Sequence, residues 1–177
     1  MVKVQNLSSR FESSTPKSMS QNLHFEARND LELYTSRVFN TIALGYRIDP
    51  IGPEFIENLY ALRILNSKVP RFRGEGAATP PSLEDLGQYW NSNSIIFGVF
   101  FEEILIGVFG TERLDDCVHL LFCHIDIGHQ RKGVSSGVAA FAILTWVNLG
   151  LTSFNSKIDL LVPDRQEILR NLNFEIK

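Results

Sequence analysis

At 177 residues the chain has room for one domain of ordinary size, able to bury a core without staples. With 44% apolar and 21% charged residues its composition is not that of a disordered, collagen-like or coiled-coil chain. Seventeen Lys plus Arg against twenty Asp plus Glu leave a formal charge of -3, so no global positive field gathers a polyphosphate and nucleic-acid binding is disfavoured.

Residues 1–22 are rich in serine and read as a flexible arm ahead of a single domain over 23–177. Next, Asp30 is placed to cap a helix with Leu31, Tyr34, Val38 and Ile42 at helical spacing, and a strand competes for the same residues. A short run over 43–48 is stopped by Asp49 and Pro50. Pro53 then opens a helix in which Phe55, Ile56, Leu59, Leu62 and Leu65 recur at three and four. The Pro- and Gly-bearing stretch 69–81 reads as a surface loop. Its Arg71 and Arg73 are candidates to contact an acidic substrate, and a solvated connector is the alternative. Ser82 with Asp85 starts a short helix to about Trp90.

The runs 95–101 and 104–111 stand at hairpin spacing, although Glu102-Glu103 is a poor primed-turn sequence. A third strand is expected over 117–126, then a helix over 134–149, a strand over 157–162 and a helix from about Asp164 to Leu172. Antiparallel strands joined to a later one through a helical crossover imply an α/β fold. Its sheet is mixed, antiparallel and parallel, with helices on both faces and strand 117–126 parallel to strand 157–162. Ligands in such sheets bind beyond the carboxyl ends of parallel strands, here around residues 125–136. Residues 133–156 carry no charge, but their densely apolar part, 134–149, falls short of the ~20 residues of a membrane span. A helix apolar on all sides and too short to span is one buried between protein layers, and no membrane partner is expected.

Cys117 and Cys123 have no second pair and no ligand cluster beside them, so neither a disulfide framework nor a metal site is expected. They suit a reducing compartment, and residues 1–12 lack the apolar core of a signal peptide, so a cytoplasmic setting is expected.

Residues 119–137 run from an apolar strand, through a polar and basic turn, into an apolar helix. A helix N-terminus offers unpaired N–H groups and partial positive charge, and Arg131 and Lys132 add full charges just before it. Gly133 lets the backbone approach an anion such as a pyrophosphate without a Cβ, and Ser135 is small enough for the same approach. A plain strand-to-helix turn with solvated basic residues is the alternative.

The run Gln130-Arg131-Lys132-Gly133-Val134-Ser135 resembles the acyl-CoA pyrophosphate loop of the GNAT N-acetyltransferases, Q/R-x-x-G-x-G/A, with Ser135 in place of the last small residue. Tyr46-Arg47-Ile48-Asp49 with the helix ending near Leu62-Arg63 resembles the family's opening strand and helix. Residues 104–109, with Gly107, resemble its third strand, and Leu172-Asn173-Phe174 its closing Leu-Gly-Phe, so that the likeness runs over 43–176. The resemblance implies acetyl-CoA as cosubstrate and direct acetyl transfer to a primary amine of a small molecule or protein, without a covalent enzyme intermediate. Backbone groups near Cys123, Ile125 and Ile127 would pair with the pantetheine arm, and the Ile125 amide would polarise the thioester carbonyl. The turn from Gln130, with amides of Arg131, Lys132, Gly133, Val134, Ser135 and Ser136, would hold the pyrophosphate.

The amine must lose a proton. His119 stands six residues before Ile125, where the histone-acetylating branch has a basic glutamate, and a structural hydrogen bond is its alternative role. His124 and Glu112 are the second and third candidates. Strict strand alternation puts His124 and Asp126 on the face opposite His119, Cys123 and Ile125. Two departures stand out. Leu169 occupies the place of the last-helix tyrosine that protonates the leaving thiolate, and the family's two final strands are missing, so the sheet is shortened there. Either its edge is open or the extra N-terminal segment fills the place. These departures motivate the alternative of a catalytically silent GNAT-like module that binds acyl-CoA or a protein. Oligomeric state is left open, with a homodimer among the options.

Overall fold

Eight to eleven consecutive residues rich in Ile, Val and Phe, repeated either side of tight turns, pair as antiparallel ribbons and form the centre of the molecule. In the computed structural model, which describes residues 20–27, 30–67, 82–159 and 172, six strands make one mixed sheet. In chain order the elements are β1 (Ser20–Glu26), α1 (Leu31–Ala43), β2 (Tyr46–Pro50), a 3-10 turn (Pro53–Phe55), α2 (Ile56–Ser67) and α3 (Leu83–Gly87). β3 (Ser94–Phe101), β4 (Ile104–Leu114), β5 (Cys117–Ile125), a 3-10 turn (Ile127–His129), α4 (Val134–Asn148) and β6 (Ser153–Asp159) follow. The spatial order is β1-β6-β5-β4-β3-β2, with β5 and β6 parallel and every other pair antiparallel.

Helices cover both faces. Tyr34 of α1 and Val138, Ala140 and Ile143 of α4 pack with Phe97, Phe109, Val118 and Phe154 of the sheet. On the other face Leu59 and Leu62 of α2 and Leu86 of α3 pack with Ile96, Val108 and Phe122. The charge-free helix is buried between layers, as its composition requires. α4 has the sheet on one side and α1 on the other, with buried Thr41 of α1 set directly against Gly137, where a Cβ would strike the Thr41 hydroxyl. Gly150, at φ +90, ends α4 in the left-handed region.

Several local expectations change. The helix over 31–43 prevails over the competing strand because Leu33, Tyr34, Val38 and Thr41 find a partner surface on α4. Asp49 and Pro50 do not stop β2 but pair with Gly98 and Phe97. β2 is the outermost strand, where the N–H that proline lacks is not needed. The Ser82 capping box forms, its oxygen accepting from Asp85 N; the Asp85 carboxylate accepts from the Ser82 hydroxyl and from Ser82 N, and these two bonds hold it below the usual carboxylate range. Glu102 and Glu103 take φ of 48° and 64° and close the β3–β4 hairpin, with Phe101 opposite Ile104, so the ladder imposes a primed turn on residues that disfavour it.

The last strand among the described residues is β6 (Ser153–Asp159), which starts earlier than the expected 157–162. Ser153, Asn155 and Ser156 disguise it, while Phe154 carries its core contact. Ser20, Gln21 and Asn22, read as the end of an arm, pair with Asp159, Ile158 and Lys157. β1 thus covers the edge of β6 away from β5, so that edge is not open, and of the two alternatives it is the N-terminal segment that lies there. Residues 1–19, the loop with Arg71 and Arg73, and the helix expected to carry Leu169 lie outside the described residues. Leu172 is described and fully buried in the core cluster that α1 and α4 share with the sheet.

Candidate functional site

β5 and β6 run side by side for only a short distance. They pair from Cys117↔Ser153 to Leu120↔Ser156, after which β5 continues to Ile125 and β6 to Asp159 without pairing to each other. A bulge starts the divergence. Gly110 of β4 faces Phe122 while Thr111 faces Leu120, so Leu121 is the extra residue, and a bulge bends and twists its strand. Beyond it, Asp126 N donates to Ile106 O at 2.7 Å. Antiparallel ladders alternate, so this bond fixes the pairs around it. Residues 124 and 122 turn their N–H and C=O towards β4, and Cys123 and Ile125 turn theirs into the gap on the β6 side.

At the end of β5 the chain turns sharply. Strand pairing stops at Ile125 rather than Asp126, whose carboxylate accepts from Gly128 N at 2.9 Å and caps the 3-10 turn. Ile127 therefore belongs to a turn and not to a strand, its carbonyl accepting from Gln130 N. Arg131 at φ 60° and Gly133 at φ 80° swing the backbone through the left-handed region into α4. A Cβ added at Gly133 would stand in open space, with nothing within 4 Å.

The first bond of α4 runs from Gly137 N to Gly133 O at 2.9 Å, and no side chain caps the helix. The amides of Val134, Ser135 and Ser136 precede that bond and have no acceptor among the described residues. Arg131 and Lys132 are exposed beside them. This is an open anion cradle at the end of the β5 segment that has parted from β6.

No protein-family model matches the sequence, and no curated protein matches it. Solved structures do. The ribosomal-protein-S18-alanine N-acetyltransferase from Escherichia coli superposes with a TM-score of 0.63 at 13% identity, over 73% of this chain and 77% of that one. An acetyltransferase of the GNAT family from Staphylococcus aureus Mu50 gives 0.60 at 16% identity, over 71% and 81%. The PaiA N-acetyltransferase from Thermoplasma acidophilum, solved with coenzyme A, gives 0.51 at 16% identity, over 60% and 74%. The chain has the GNAT acetyltransferase fold.

Within this GNAT fold, the bulge changes where the candidate bases point. His119 pairs with Glu112 and His124 with Val108, and Glu112 and Val108 lie on the α2/α3 face. Strict alternation would separate His119 from His124; the extra residue at Leu121 restores them to one side, with Cys123 and Ile125 opposite, packed towards α4. His119, Glu112 and His124 therefore share a face. Glu112 accepts from Asn91 Nδ2 at 3.0 Å, and the His124 ring stacks on Phe122 at 5.7 Å. Cys117 lies on the α2/α3 face and Cys123 on the other, and no disulfide forms. Burial pushes the Cys117 thiol up, the Glu26 carboxylate adds to this, and a hydrogen bond with Ser153 opposes it, so it is a poor nucleophile.

Three residues that support the turn were not singled out from sequence. Gln130 turns its side chain inward, donating from Nε2 to Ile125 O at 2.7 Å and to Asn66 Oδ1 of α2 at 3.4 Å. Tyr46 of β2, buried and with its phenol pushed up by that burial, bonds through its hydroxyl to His129 Nδ1 at 3.0 Å. The rings of Tyr46 and His129 also meet edge to face. Asn66 and His129 carry no motif and Tyr46 entered only as part of a strand likeness, so the signal available from sequence for these contacts was only that a buried Asn must find a partner. Among the described residues no helix is long and apolar enough to cross a membrane.

Proposed function

We propose that the chain is an N-acyltransferase that moves the acetyl group of acetyl-CoA directly to a primary amine of a small molecule or protein. One observation carries this reading: beyond Leu120, β5 no longer pairs with β6 and leads straight into the open N-terminus of α4. That stretch of β5 suits an extended amide-bearing arm, and the helix start suits a pyrophosphate. The fold shared with N-acetyltransferases supports the same reading.

In this reading Arg131 to Ser136 bind the pyrophosphate, chiefly through main-chain N–H groups. Cys123 and Ile125 hold the pantetheine as an added strand. Gln130 occupies the Ile125 carbonyl and keeps the Ile125 N–H aimed at the thioester oxygen, where charge builds up as the amine attacks. His119 takes the proton that the amine nitrogen releases. It stands one residue before the strands diverge and is half-buried, whereas His124 is stacked on Phe122 and Glu112 is held by Asn91. The new C–N bond forms as the C–S bond breaks, and the thiolate collects its proton from solvent, since Leu169 offers none. The step is heterolytic and asks for no metal, and a cytoplasmic setting supplies the cosubstrate.

Titration calorimetry with acetyl-CoA tests this first. Saturable heat and a rise in melting temperature are expected, and the absence of both would remove the proposal. Thiol release with a panel of amines follows. Heat without release from any amine would select the catalytically silent acyl-CoA-binding module instead.

A further inference from the structure

The face of the sheet away from α1 and α4 divides in two. Over β3, β4 and the end of β5 it is apolar and covered by α2 and α3. Over β1, β6 and the start of β5 it is polar and reaches solvent. His24 and Glu26 are 59% and 54% exposed, and Cys117, His119, Ser153 and Asn155 are half-buried. Among the described side chains of these same strands, the apolar Phe25, Val118, Leu120 and Phe154 go to the opposite face.

Register aligns the polar residues in two rows. Glu112 faces His119, His119 faces Asn155, and Asn155 faces His24, across four strands. One pleat away, Cys117 faces Ser153 and Ser153 faces Glu26. The rows are fixed by their own bonds. His24 Nδ1 meets Asn155 Oδ1 at 2.8 Å, His24 Nε2 lies 3.4 Å from Ser153 Oγ, and the same nitrogen is 3.7 Å from Glu26 Oε1. Glu112 and Glu26 stand at opposite ends, with imidazoles between. The row through His119 ends where the gap begins, since Leu120↔Ser156 is the last pair of β5 and β6.

We propose that β1 supplies the acceptor side of this site: His24 and Glu26, with Asn155, are specificity-determining residues for an acceptor that carries a second cationic group. This rests on the acyl-transfer reading. The reacting amine lies at the gap beside His119 and must be neutral to attack, so the row's field acts on the rest of the acceptor. Glu26 is two strand spacings across from β5 and one pleat along from His119, which puts the second cation ~12 Å from the reacting nitrogen. The N-terminal strand thus does more than cover the β6 edge, because its polar face sets which amines are held.

1,8-Diaminooctane and octylamine, matched in length, test this with the full chain. Thiol release is expected to show a kcat/KM preference for the diamine, carried by KM, that fades at high salt because the attraction is ionic. Glu26→Gln should cut the preference about three- to fivefold, the range of a partly exposed ion pair. His24→Gln should cut it as well by releasing the row. Calorimetric titration of the diamine onto protein saturated with CoA gives the same comparison without turnover. A preference unchanged in both variants, with acetyl-CoA binding retained, overturns the inference and leaves the acyl-transfer reading standing. Absence of acetyl-CoA binding overturns both.

Discussion

Tyr46 shows how much a single hydroxyl far from the motif can control. Its bond to His129 joins β2 to the turn that precedes α4, and the ring is buried between Phe101 and His129. Such a bond contributes about 1 kcal/mol net, or about fivefold in an equilibrium constant. Tyr46→Phe should therefore raise the KM for acetyl-CoA about fivefold and leave kcat nearly unchanged, because the pin orients the cradle and touches neither acyl carbon nor amine. Steady-state kinetics with acetyl-CoA as the varied substrate reads this, and an equal loss in kcat would contradict it. Gln130 was legible as a member of the loop motif. That its side chain faces inward, to Ile125 O and Asn66, depends on α2 lying underneath, and no spacing in the sequence reports that.

At the level of elements, the β3–β4 hairpin forms against its turn residues. Glu102 and Glu103 both hold positive φ, which disfavours a residue with a Cβ, and the Glu103–Arg47 ion pair is too exposed to compensate much. Replacing the pair by Asn-Gly, which adopts the primed turn readily, should stabilise the protein by about 1 kcal/mol. Denaturant unfolding of the Glu102→Asn/Glu103→Gly double variant measures this, and a loss of stability would mean that the carboxylates matter more than the backbone. Element type was readable wherever side-chain period was strong, as in α2, β3 and β4. The bulge at Leu121 was not. It arises from how β4 and β5 twist together, and it puts His119 and His124 on one face when simple alternation separates them.

On the scale of the whole molecule, the N-terminal strand completes the sheet. β1 bonds to β6 throughout its length, Phe25 stacks on Phe154 with ring centroids 5.0 Å apart, and Ala27 N reaches Thr152 O at 2.9 Å. Deleting residues 1–27 would bare one side of β6 and expose Phe154. A loss of at least ~2 kcal/mol is expected from the aromatic burial, along with concentration-dependent association through the free edge. Thermal unfolding and light scattering after size exclusion would show both. A truncated chain that stays monomeric and equally stable would show that β1 is dispensable to the sheet.

The sequence by itself determined what is local or periodic: the α/β class, the charge-free helix buried between layers, the capped start of α3, and a basic glycine turn before a helix, with its likeness to an acyl-CoA loop. These are readable because each depends on residues a few positions apart. Tertiary structure alone decided that the first strand closes the last edge of the sheet, where the parallel strands part, which way the base candidates face and what anchors the turn. Each of those depends on contacts between segments distant in the chain. Their register is set by packing across the whole sheet, and no short stretch of sequence encodes it.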